Sequence, residues 1–224
     1  MIKPPGRPDR MRRLSKAELA DIDARLRQWQ SFDEIDAVLK AVRETTGFYA
    51  VGQGGLKIWR EAFVAVSCAL QTHARRIRLG GDPPDFELDY GDHVRAFELV
   101  DVFPVGRRLG REYDTFADLW NNSQGIPLEH VDMEAELEAL PADLEAQLQA
   151  KAAKGYSPSP ILVADIHHAI FPQSDIGDLS RLAGIARRYL THFPEVWLRM
   201  SRNLVRVSPF GETRIHGAHD AGGD

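Results

Sequence analysis

The run Pro84-Asp-Phe-Glu-Leu-Asp-Tyr90, then Gly91-Asp92, then His93-Val-Arg-Ala-Phe-Glu-Leu-Val-Asp-Val-Phe103 constrains the fold more than any other part of the chain. Two segments rich in strand-forming residues and separated by Gly-Asp predict a β-hairpin with a two-residue turn, Gly91 supplying the positive φ. With Gly91 and Asp92 as the turn, residues pair where their numbers sum to 183, so that Tyr90 meets His93, Phe86 meets Phe97 and Asp85 meets Glu98. Side chains alternate along a strand, which puts the phenylalanines on one face and the two acids on the other. Directly opposed residues have Cβ atoms about 4.5–5.5 Å apart. Like charges so close repel one another. Two readings of the pair follow. The carboxylates hold a divalent cation, Mg²⁺ or Mn²⁺, whose bound water can be activated for hydrolysis. Alternatively, they belong to a solvated face with Glu87 and Asp89.

Helical signals surround the hairpin. Ser15-Lys-Ala-Glu18 is a capping box, with Leu14 and Leu19 placed as a hydrophobic staple. Leu19, Ile22, Leu26 and Trp29 recur at helical spacing. Ser31 to Glu34 repeats the capping signature ahead of Ile35, Val38, Leu39 and Val42. Gly47 to Gly55 reads as a loop. The stretch 56–73 predicts a helix apolar over a wide face, which must lie against a sheet or deep in a core. Arg75 to Leu79 predicts a short strand. After Gly106-Arg-Arg-Leu-Gly-Arg111 a helix is expected to Trp120, and an acidic helix pair broken at Pro141 runs to about Lys154. Ile161 to Ile166 predicts a buried strand. Asp178 caps a helix beginning at Leu179, and Val196–Met200 and Leu204–Val207 are weaker strand candidates. The expected division is a mobile basic arm at 1–13, one α/β (α+β) domain over 14–208 and a disordered polar tail over 209–224.

At 224 residues, 43% hydrophobic and 27% charged, the composition is that of a folded globular chain. No apolar run approaches the roughly 20 residues of a membrane-spanning helix, and no apolar stretch follows the basic start as in a signal peptide. The single cysteine, Cys68, excludes an intrachain disulfide and a multi-cysteine zinc site. The expectation is a cytoplasmic protein. The net charge of −5 argues against a general nucleic-acid coat protein. It is unevenly spread: residues 1–16 hold six basic residues against one acid, and 129–149 hold seven acids with no lysine or arginine.

Pro84-Asp85, a hairpin and Glu98 in an apolar strand resemble the PD-(D/E)XK, or restriction-endonuclease-like, nuclease superfamily. An apolar helix carrying Glu61 precedes the motif, and a helix with Lys151 and Lys154 followed by Gly155-Tyr156 and the Ile161 strand comes after it. The resemblance implies an αβββαβ core over about residues 56–168. It also implies Mg²⁺-dependent cleavage of DNA phosphodiester bonds, with Asp85 and Glu98 on the metal and Glu61 in support. The motif lysine belongs two residues after Glu98, where this chain has Val100, so Lys151 or Lys154 is the expected substitute. The alternative is a catalytically inactive module of the same fold that binds nucleic acid, or a protein partner at the acidic 129–149 segment.

Other candidates carry weaker signals. Arg107, Arg108 and Arg111 are placed to contact phosphates beside the motif strand, or to be a solvated helix start. The N-terminal arginines suit either a nucleic-acid backbone or a plain basic tail. Asp165, His167 and His168 follow the buried strand at the end where α/β proteins place polar site residues. Adjacent histidines in an extended strand point to opposite faces, so the two cannot easily share a metal. His216 and His219 lie in the tail. Cys68 on the apolar helix reads as an inert buried thiol. Gly52-Gln-Gly-Gly55 lacks the Lys-Ser/Thr ending of a phosphate loop, and there is no Gly-x-Ser-x-Gly elbow.

Overall fold

The computed structural model describes residues 11–47, 49–52, 57–81, 83–107, 109–122, 133–167, 179–200 and 203–215. Helix α1, Lys16–Leu26, and helix α2, Phe32–Thr46, both start at the expected capping boxes. Ser15 accepts from the Glu18 backbone while Glu18 reaches back to Ser15, and Ser31 and Glu34 do the same. Leu14 is buried in the core cluster against which Leu19 packs. Residues 11–13 depart from the expected mobile arm. Met11 is buried, its backbone N–H donates to Asn121 Oδ1 at 2.9 Å, and Arg13 pairs with Asp114 at 2.8 Å. Residues 1–10 lie outside the described residues. The expected loop at 47–55 contains one helical turn, α3, Tyr49–Gly52, where the Tyr49 hydroxyl donates to Asp118 at 2.5 Å.

Helix α4, Lys57–Thr72, follows, then strands β1, Arg76–Leu79, β2, Phe86–Asp89, and β3, Val94–Val102. The hairpin has the expected register: Phe86 pairs with Phe97, Glu87 with Ala96, Leu88 with Arg95 and Asp89 with Val94. Gly91 turns the chain at φ +96°, and Tyr90 N donates to His93 O at 3.0 Å. After β3 come α5, Leu109–Asn121, and α6, Met133–Ala152. Helix α6 continues through Pro141 where a break was expected. Leu140, Leu144 and Leu148 all seat in the core on either side of the missing N–H, and their burial outweighs one lost hydrogen bond. The chain ends with β4, Ile161–Ile166, α7, Leu179–Arg187, β5, Val196–Met200, β6, Asn203–Ser208, and β7, Gly211–Ile215. The last strand replaces the first part of the expected tail, because Leu204 to Ser208 offer an edge on which 211–215 pair antiparallel. Asp178, the expected cap of α7, lies outside the described residues.

The seven strands form one sheet in chain order. Strands β1, β2 and β3 are antiparallel, β4 runs parallel to β3 and β5 parallel to β4, and β6 and β7 return antiparallel. Alternation divides the strands between two cores. Phe97, Leu99, Ile161, Val163 and Trp197 join the side chains of α1, α2 and α4 on one face. Val100, Val102, Leu162, Ala164, Val196 and Leu198 join those of α6 and α7 on the other. The molecule is therefore a mixed α/β structure with helices on both faces of the sheet. At its centre Phe86 stacks on Phe97 at 4.8 Å, and Phe97 meets the Trp197 edge at 4.9 Å. Such aromatic contacts add about 0.5–1.5 kcal/mol each beyond the area buried.

Candidate functional site

Strand β2 is shorter than β3 and covers it only from Val94 to Phe97. From Glu98 onward, the β2 side of β3 has no strand partner among the described residues. Asp85, one residue before β2, occupies this gap. Its N–H donates to Phe97 O at 2.9 Å, and its Oδ2 accepts from Leu99 N at 2.7 Å. A carboxylate thus takes the place of a strand, fixed by a backbone donor that would otherwise be orphaned. Asp85 and Glu98 are only 3% and 1% exposed, so the reading of a solvated acidic face is wrong for both. It also fails for Asp89, buried against Arg76 at 2.5 Å, and for Glu87, held by Arg78 at 2.5 Å.

The two acids have different company. Asp85 turns toward α4, where Lys57 Nζ is 3.5 Å from its Oδ1 and 2.9 Å from Glu61 Oε1. Burial pushes the Glu61 carboxyl up to about 6; the Lys57 ammonium opposes that shift and the neighbouring Asp85 charge adds to it. Glu98 points to the opposite helical layer. Lys151 Nζ from α6 donates to its Oε1 at 2.6 Å, and the Tyr156 hydroxyl donates to the same oxygen at 2.8 Å. Lys154 is more distant, 4.0 Å from Oε1, and half exposed. Glu98 Oε2 is buried with no hydrogen-bond partner. Val100, at the position of the motif lysine, is buried in the core beneath α6.

Among the flanking arginines, Arg107 is engaged by the protein itself. It pairs with Glu112 at 3.2 Å and donates to the His167 carbonyl at 3.0 Å. Arg111 is exposed on α5. Arg108, His168, His216 and His219 lie outside the described residues.

Across the three parallel strands a second polar group emerges. The register places Asp101 of β3 opposite Asp165 of β4, and Asp165 opposite Arg199 of β5. All three project from the face that carries Phe97 and Trp197. Arg199 Nη2 lies 2.7 Å from Asp165 Oδ1, and Arg60 of α4 donates to Asp101 Oδ2 at 2.6 Å. His167, just past β4, brings its Nε2 to 3.1 Å from Asp101 Oδ1 and 3.0 Å from Asp165 Oδ2. Burial alone would lower the His167 pKa, but the hydrogen bonds and charges of the two aspartates overcome this and raise it. Burial would likewise raise the Asp165 carboxyl, and contacts with His167 and Arg199 hold it below its ordinary value. Among the described residues, Asp101, Asp165 and His167 are the group of three whose ligand atoms all lie within 4.8 Å of one another; Glu61, Asp85 and Glu98 do not form such a group.

Sequence reasoning missed Asp101, Arg60, Arg199, Lys57 and Tyr156. For Asp101 and Arg199 a signal exists: each parallel strand has a charge one residue before the end of an apolar run, in Leu-Val-Asp-Val, Val-Ala-Asp-Ile and Trp-Leu-Arg-Met. The acidic segment is less uniform than its composition suggests. Glu134 and Glu138 are exposed on α6, but Asp143 is buried and Glu145 pairs with Arg188 at 3.0 Å. No helix among the described residues is long and apolar enough to cross a membrane. Comparison of the chain with protein-family models, with curated proteins and with solved structures finds no match to any of them.

Proposed function

We propose that the chain is a divergent nuclease of the restriction-endonuclease-like class, hydrolysing DNA phosphodiester bonds with Mg²⁺ or Mn²⁺. The observation that carries the reading is the Lys151 ammonium 2.6 Å from Glu98, on the strand that Asp85 caps. The order helix α4, antiparallel β1–β2–β3, helices, then β4 parallel to β3 supports the αβββαβ core that the Pro84-Asp85 motif implies. A lysine supplied by α6 answers the valine at position 100.

The donor set suits a hard divalent ion, because carboxylate oxygens are its preferred ligands. Glu98 Oε2, buried without a hydrogen-bond partner, is an oxygen in want of a cation. To share the ion, Asp85 and Glu98, whose side chains turn to opposite helical layers, would swing toward each other where β2 leaves β3 uncovered, with Glu61 in support; the ion would polarise the scissile phosphate and lower the pKa of an attacking water. The chain's own groups do the rest. The Leu99 N–H and Lys57 fix the Asp85 carboxylate. Lys151 and Tyr156 fix Glu98, and the Lys151 ammonium offers a donor for charge developing on a phosphate oxygen. Lys154, half exposed, would meet a phosphate of the incoming backbone, and so would Arg111 on α5.

The test is cleavage of supercoiled and linear DNA by the full chain in Mg²⁺ or Mn²⁺. The parent protein is expected to nick the plasmid, and Asp85→Ala, Glu98→Gln and Lys151→Met to lower the rate at least 100-fold with unchanged circular dichroism. Equal, negligible cleavage by parent and variants sinks the reading. A second reading rests on Val100: its burial leaves no room for a charge at the motif position, as in a module that keeps the fold for binding alone. Calorimetric titration separates the two. Mg²⁺ binding that Glu98→Gln abolishes favours the enzyme, and absence of Mg²⁺ binding favours the module.

A further inference from the structure

We propose that Asp101, Asp165 and His167 form a second cation site, selective for a transition-metal ion of the Zn²⁺ or Mn²⁺ type over Mg²⁺. The site is distinct from Asp85 and Glu98 and independent of the nuclease reading. Its geometry is that of a coordination sphere. Two ligands bound at roughly 2.1 Å to one ion lie roughly 3.0–3.4 Å apart, for octahedral or tetrahedral angles. The separations from His167 Nε2 to the two carboxylate oxygens are 3.1 and 3.0 Å. The third separation, between the two carboxylate oxygens, is within 4.8 Å, so a cation that binds all three draws the aspartates together.

One imidazole nitrogen carries at most one hydrogen, yet Nε2 faces two acceptors. Replacing that hydrogen by a cation gives all three atoms a full bond. The ligands are held in place beforehand. Asp101 and Asp165 sit side by side on parallel strands; Arg60 holds the Asp101 oxygen that faces away from His167, and Arg199 contacts both oxygens of Asp165, at 2.7 and 2.8 Å, so a bound cation shares Oδ2 with that guanidinium. His167 is held on one ring face and through its backbone. It stacks on Phe103 at 4.4 Å, its backbone N–H donates to Val102 O at 2.9 Å, and its carbonyl accepts from Arg107 at 3.0 Å. The Asp165 side chain is 4% exposed, whereas those of Asp101 and His167 are 21% and 25% exposed, so the group has a closed floor and an open side for water or substrate.

Ligand chemistry sets the selectivity. An imidazole nitrogen beside two carboxylates suits Zn²⁺ and Mn²⁺, whereas Mg²⁺ keeps to oxygen and sheds water reluctantly. Because Arg60 and Arg199 already balance the two carboxylates, the bound ion keeps surplus positive charge.

The experiment is calorimetric titration of the metal-free full chain with Zn²⁺, Mn²⁺ and Mg²⁺, with Co²⁺ visible absorption as a second readout of nitrogen ligation. Zn²⁺ should bind the parent and the Asp85→Ala variant alike, and at least 10-fold more weakly to His167→Gln and to Asp101→Asn. The Co²⁺ bands should be lost in His167→Gln. Absence of Zn²⁺ binding to the parent overturns the proposal, as does binding that survives both substitutions. Loss of binding in Asp85→Ala also overturns it, since that would place the ion at the other acids. Should His167→Gln not fold, Asp101→Asn, at a partly exposed position, decides the matter. DNA cleavage that ignores Asp85→Ala would defeat the nuclease reading and leave this one standing.

Discussion

Lys151 Nζ donates to Glu98 Oε1 at 2.6 Å, across the boundary between helix α6 and strand β3. Glu98 is 1% exposed, so this ammonium, with the Tyr156 hydroxyl, is what makes an ionised carboxylate tolerable inside the molecule. The same pairing gives the candidate active site its cation donor. Stability and chemistry thus meet in one contact.

Lys151→Met should therefore destabilise the fold by about 3 kcal/mol, the scale for removing one partner of a buried ion pair. Lys151→Met combined with Glu98→Gln should recover most of that loss, because no uncompensated charge remains. Urea unfolding of the two single variants and the double variant measures the coupling. Additive losses would show that the pair is not coupled.

Glu61 makes the opposite kind of prediction. Its carboxyl is raised from 4.5 to about 6, first by burial and then by Asp85, with Lys57 opposing. A folded-state pKa above the unfolded one gives stability that is present below the ordinary carboxylate value and lost as pH rises through 6. Glu61→Gln escapes that loss. Relative to the parent in EDTA, it should gain on the order of 2 kcal/mol between about pH 4 and pH 7. A difference independent of pH would contradict the assignment.

Trp197 closes the core over Phe97, with its ring wholly buried and its indole N–H donating to Glu195 at 2.7 Å. Trp197→Ala should cost about 3–5 kcal/mol by lost burial and cavity formation, and also leaves Glu195 short of a donor. Trp197→Phe keeps the aromatic contact and should cost less. Thermal and denaturant unfolding would register both.

Cys68 should be silent. Burial pushes its thiol up to about 12, and the side chain has no exposure. The native protein is expected not to react with a disulfide reagent at pH 8. Denatured protein should release one equivalent of thiol. Rapid reaction of the native state would mean that α4 opens locally.

Much of the local structure was legible. The capping residues Ser15 and Ser31 start helices because a side-chain oxygen satisfies a backbone donor wherever the chain lies. The Gly91-Asp92 turn set the pairing of Phe86 with Phe97, since a two-residue turn leaves no freedom of register. What could not be read was the state of the acids on that hairpin. Alternation placed Asp85 and Glu98 on a common face, as for an intact ladder. In the folded chain β2 stops at Phe86, Asp85 bends onto the Leu99 N–H, and the two carboxylates serve opposite helical layers. Pro141 misled for a related reason: propensity counts one missing hydrogen bond, and the core counts three leucines.

From its sequence alone the chain determined where α1 and α2 begin, the register of one hairpin and the acidic and lysine residues from which a site can be built. These depend on neighbours a few residues apart. Tertiary structure alone decided that Lys151 reaches Glu98, 53 positions away, and that Asp101, Asp165 and His167 converge. Parallel strands are not joined by a turn that fixes their register. Their alignment is set by how intervening helices pack on the sheet, and that information is spread over both cores rather than written beside the residues it brings together.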